Sequence, residues 1–149
     1  MWFARKRGWK IIKQIKEDVF KNLKKGDCDE VIVQIGGNDL QDMYAPELIT
    51  RSAVSIIETA QICKDRGAKT VLIGGVTERK YEYAQERCEA LNKELQELCR
   101  HNGFIFIDNS NIRPMEHLYD RVHLNDPGTA ILADNYLNSL RNAFHGKSV

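Results

Sequence analysis

The chain has no apolar run near the roughly 18 residues of a membrane-crossing helix, which argues against a transmembrane span. Its start, MWFARKRGWKIIKQIKED, is charged throughout and lacks the apolar segment of a signal peptide. No Cys-x-x-Cys pair occurs among Cys28, Cys63, Cys88 and Cys99, and three of the four fall on predicted helices. Free thiols in a reducing compartment follow, and with them an intracellular, cytoplasmic location. No Gly-x-Gly-x-x-Gly follows a first strand, so a dinucleotide site is excluded. No zinc-finger or RNA-recognition signature is present, and no cofactor or resident metal is expected. The three prolines are too few for a low-complexity linker.

What is present is ordinary for a globular protein. The 149 residues are 42% hydrophobic and 29% charged, the size and composition of one domain over 1–149. Charge is uneven: residues 1–25 carry nine Lys and Arg against two acidic residues, which leaves the remainder at −6 of a net +1. With Trp2, Phe3 and Trp9 interleaved, that segment is a candidate nucleic-acid contact, although a solvated basic helix face is the plainer reading.

Periodicity gives alternating helices and strands, hence an α/β fold with a parallel sheet. Ile11, Ile12, Ile15, Val19 and Leu23 form one helical stripe over 9–25. Val31–Ile35, Thr70–Val76 and Phe104–Asp108 read as short buried strands. A helix over Pro46–Arg66 turns Ile49, Ala53, Ile56, Ala60 and Cys63 inward, and one over Tyr81–His101 turns in Ala84, Cys88, Leu91, Leu95 and Leu98. The last helix, Asp126–Ala143, is expected to bury Ala133, Leu137, Leu140 and Phe144.

Ligands of open parallel sheets bind beyond the carboxyl ends of the strands. There the chain places Gly36, Gly37, Asn38 and Asp39, then Gly74–Thr77, then Asp108–Asn111. The polar stretch YDRVHLNDPG carries Asp120 and His123 three apart, within hydrogen-bond reach over one turn. An aspartate so placed fixes the tautomer of an acid–base histidine and stabilises its charged form. Asn125 and Asp126-Pro127 then signal a helix start. An amide donor, a histidine and its aspartate at one sheet edge suit acyl transfer, the amide donating to the developing oxyanion. His117, Asp120 and His123 do not match a common zinc spacing.

GGND after a buried strand, followed by DRVHLNDPG before a terminal helix, resembles the SGNH (GDSL-type) hydrolase family. The resemblance covers essentially the whole chain. It implies a flavodoxin-like, three-layer αβα fold with three strands and four helices, and esterase activity on a small ester or acylated substrate. Gly36, Asn38 and Asp39 match the family's third block, and Asp120 and His123 its fourth. On this basis His123 would be the base, Asp120 its orienter, Asn38 an oxyanion donor, and Gly36 and Asp39 structural support. Gly8, ahead of WKIIKQIKEDVF, would be the second-block glycine and a further oxyanion donor. The pattern is also similar to esterase domains encoded by some animal retroelements.

The family's Gly-Asp-Ser nucleophile block is missing. The serines are Ser52, Ser55, Ser110, Ser139 and Ser148, of which Ser110 alone lies at a strand's carboxyl end. The resemblance therefore implies an N-terminally truncated domain, impaired or inactive as this chain. It also implies that strand 31–35 lies at an apolar edge open to self-association. Alternatives are a non-catalytic binding module of the same fold, or a nucleic-acid-associated protein using the basic first 25 residues.

Overall fold

The computed structural model describes residues 11–145. Gly8 and the aromatic residues of the basic start lie outside the described residues. The described elements are α1 (Ile12–Asn22), β1 (Glu30–Val33), a 3-10 helix (Gly37–Asp42) and α2 (Pro46–Asp65). They continue with β2 (Thr70–Gly74), α3 (Ala84–Asn102), β3 (Ile105–Ile107), α4 (Pro114–His117) and α5 (Asp126–His145). Two short elements, α4 and the 3-10 helix, thus join the four helices that periodicity predicts. Both are too short for a hydrophobic stripe to announce them.

The three strands form a parallel sheet in the order β1-β2-β3, with Val31 beside Val71 and Ile73 beside Phe106. Parallel neighbours need crossovers, which α2 and α3 supply. Val31, Val33 and Ile35 alternate inward and join a core with Ile12, Val19, Ala53, Ile56, Ala60, Leu91 and Leu95. The stripes of α1, α2 and α3 therefore turn inward as their spacing predicts, with Ile15, Ile49 and Leu98 partly buried against the core and Ile11 37% exposed at the start of α1. Every residue of β2 is buried, as suits a strand with a neighbour on each side. Among the described residues β1 pairs with β2 alone, so it is an edge of this sheet.

The other face of the sheet meets α5, and here most of the predicted stripe faces outward. Of its four residues Leu140 is partly buried but Ala133, Leu137 and Phe144 are exposed, whereas Leu132, Asn135, Tyr136 and Ser139 turn toward the protein. The sheet supplies the reason. Gln34, between the inward Val33 and Ile35, points to the opposite face and accepts from the Tyr136 hydroxyl (2.6 Å). Asn109, buried beyond β3, donates to the Gly75 carbonyl (2.8 Å) and accepts from the Asn135 amide (2.9 Å). A sheet face with buried polar groups must be met by polar partners, so α5 rotates to provide them.

Candidate active site

The turn after β1 is built by its glycines. Gly36 has φ of 114°, in the region that side chains avoid, and a Cβ there would lie 3.0 Å from Val76 Cγ2 and 3.4 Å from Ile56 Cδ1. The chain then enters the 3-10 helix that carries Asn38, half-buried, and Asp39. Asp39 Oδ2 accepts the backbone N–H of Ile12 (3.0 Å), the first residue of α1. Ile11 at the N-cap has no side-chain oxygen, so a carboxylate 27 residues away does the capping. Burial raises the Asp39 pKa, with Asp42 adding repulsion, while the Ile12 N–H works the other way.

Asp120 and His123 lie on a loop closed by a bridge between Leu118 and Leu124 and by Tyr119 N–H donating to the His123 carbonyl (3.1 Å). His123 Nδ1–H donates to Asp120 Oδ2 at 2.6 Å, the tautomer following from the acceptor-only carboxylate. Asp120 Oδ1 also accepts the backbone N–H groups of Val122 (2.7 Å) and His123 (2.6 Å). The His123 backbone and ring donors, followed by Val122, hold the Asp120 pKa down at about 2. The Tyr119 ring stacks on the imidazole, 5.7 Å between centroids and 13° from parallel. With Nδ1 committed to the carboxylate, basicity is directed to Nε2.

The loop is also anchored at its far end. Asn125 caps α5, its Oδ1 accepting from Gly128 N–H (2.9 Å) while its amide donates to the Glu116 carbonyl (2.9 Å). His117 Nδ1 accepts the Arg113 N–H (2.8 Å), so this ring serves the fold of α4. Among the described residues no group of three or more His, Cys, Asp or Glu could hold a metal.

Of two residues that periodicity and motif both passed over, Arg79 joins the two halves and Lys80 holds the second. The Arg79 guanidinium donates from Nη1 to the Val122 carbonyl (2.7 Å) and packs on Gly37, where a Cβ would come within 2.1 Å of Nη2. Burial lowers the Arg79 pKa, opposed by Tyr81, Cys88 and Asp120. Lys80 donates from its backbone to the Arg121 carbonyl (2.9 Å) and from Nζ to the Leu118 carbonyl (3.3 Å). The neighbours of Asn38 and His123 are thus one guanidinium apart. Only the position of TERK beyond the carboxyl end of β2 could have flagged it.

The described serines lie elsewhere: Ser52 and Ser55 on α2, Ser139 on α5, and Ser110 exposed after β3 with its N–H donated to Asp108 (2.8 Å). The arrangement pairs an imidazole with a carboxylate on one loop and carries the Asn38 amide on the turn across Arg79.

Residues 4–131 match the GDSL-like lipase/acylhydrolase family. The chain belongs to that family. Its fold is similar to that of a GDSL-like lipase from Bacteroides thetaiotaomicron (TM-score 0.75, 14% identity, 90% of this chain and 72% of that one). It is also similar to a catalytic mutant of an acetylxylan esterase from Geobacillus stearothermophilus (0.72, 16%, 87% and 67%). A third likeness is to an α/β hydrolase enzyme from the metagenome of Lake Arreo, Spain (0.64, 16%, 87% and 67%). Among curated protein sequences, none matches. In this GDSL-like domain, no described helix is long and apolar enough to cross a membrane.

Proposed function

We propose that these 149 residues hold the base, orienter and oxyanion donor of an ester-hydrolysing site, and that none of their described serines is its attacker. The observation that carries this reading is the 2.6 Å His123–Asp120 hydrogen bond on a loop that Arg79 holds against the Asn38 turn. His123 Nε2 takes the proton of an attacking hydroxyl, Asp120 stabilises the imidazolium, and the Asn38 amide donates to the carbonyl oxygen as it becomes anionic. One such donor contributes about 3 kcal/mol to lowering the barrier. Gly8, within the matched residues, is assigned the second donor on the resemblance alone.

Water replaces the missing nucleophile. Its oxygen forms the bond to the acyl carbon, its proton passes to Nε2, and the imidazolium returns a proton to the departing alkoxide. Nucleophile removal lowers kcat by about a millionfold and leaves roughly 10³–10⁴ over water from the oxyanion donors and binding. Short acyl esters are the substrate class we assign, in keeping with the acetylxylan esterase, whose catalytic mutants replace a serine and an aspartate.

The test is hydrolysis of 4-nitrophenyl acetate by the chain and by its His123→Ala variant. A slow steady rate that falls at least about tenfold in the variant is expected. Equal rates in the two proteins would overturn the catalytic reading in favour of a binding module.

A further inference from the structure

The site needs two loops held in register, and neither loop does this by itself. Asn38 follows β1, and His123 lies 85 residues on, after β3. The hydrogen bonds within the 118–124 loop fix His123 relative to Asp120 and Tyr119. None fixes it relative to Asn38. The third loop, between β2 and α3, is the one that touches both. Arg79 and Lys80 together take the carbonyls of Val122, Arg121 and Leu118, three acceptors on one short loop. On the opposite side the Arg79 guanidinium fills the space over Gly37, while its Nε is buried with no partner among the described residues.

That contact gives the second glycine of the pair a reason. Gly36 is required by its backbone angle, whereas Gly37 is required because a Cβ would occupy the place of the guanidinium. Arg suits this slot better than Lys, because its planar fork reaches the carbonyl while lying flat on a glycine.

We propose that Arg79 and Gly37 are a matched positioning pair that sets the His123 loop against the Asn38 turn, with Lys80 steadying the same loop. Arg79 acts through the Val122 carbonyl and is not a catalytic residue. The inference rests on the acyl-hydrolase reading for its purpose but not for its test, because it is read from the free protein.

The experiment is a double-mutant cycle of Arg79→Gln and Gly37→Ala, with Arg79→Lys as the conservative variant, followed by amide exchange and by NMR titration of the Asp120 carboxyl. Losing a charged hydrogen bond should weaken protection of the Val122 and His123 amides at least about tenfold in Arg79→Gln and Arg79→Lys. Gly37→Ala should give a similar loss. The double variant should be no worse than either single one, since both break one contact. Because Asp120 attracts Arg79, opposing the burial that lowers the Arg79 pKa, Arg79→Gln should also move the Asp120 titration upward, and Arg79→Lys should move it less. A strictly additive double variant, or unchanged protection in Arg79→Gln, would overturn the proposal even if ester turnover were normal. Should a variant lose its fold by circular dichroism, Arg79→Lys alone decides on the same two readouts. Loss of turnover in His123→Ala with an intact cycle would separate the positioning claim from the catalytic one.

Discussion

At Gly36 two constraints meet in one residue. Its φ of 114° and its contacts with Val76 and Ile56 leave no room for a methyl group. Gly36→Ala should therefore destabilise the fold by about 3 kcal/mol, combining backbone strain with overpacking, and urea denaturation checks it. Asp120 makes a second prediction. Its pKa is lowered from 3.8 to about 2, so its contribution to the loop is complete above pH 3.8 and lost as pH falls through 2. NMR at pH 3 should find Asp120 still ionised, and a carboxyl titrating near 3.8 would contradict this. The Asp-x-x-His pair was legible in the sequence because three residues span one turn. Arg79 was not, because its partners, Gly37 and Val122, are 42 and 43 residues away and no local period links them.

Whole elements depend on single distant partners in the same way. The first turn of α1 is capped by Asp39, so Asp39→Ala should cost about 1 kcal/mol and speed amide exchange at Ile12 and its neighbours. Because burial raises the Asp39 pKa, its ionisation opposes folding. Stability should decline as pH rises from 3.8 through the raised value, and Asp39→Asn should remove that slope. Four helices and three strands were legible from apolar periodicity and from helix-start signals. The phase of α5 was not. Its apolar residues Ala133, Leu137 and Phe144 make a plausible stripe, but the sheet face opposite carries Gln34 and Asn109. A period describes a helix, while the polarity of its partner decides which side turns in.

Across the molecule the four cysteines are buried. Desolvation pushes Cys63 up to about 11, and Cys88 and Cys99 to about 12. The native protein should thus ignore a thiol reagent at pH 8 and titrate four thiols only when unfolded. The α/β class was legible from the alternation of helical and strand periods. The family was legible from two motifs at the right ends of the right elements. What the motifs left unsaid is how the site is held together, because that depends on a loop with no motif of its own. The central proposal is that these 149 residues supply a base and an oxyanion donor but no covalent nucleophile, and the pre-steady-state release of nitrophenolate from 4-nitrophenyl acetate tests it most directly. The account predicts a linear trace from the first turnover, with no acyl-enzyme burst. A burst of one equivalent per chain, lost in His123→Ala, would reveal an attacking residue and contradict it.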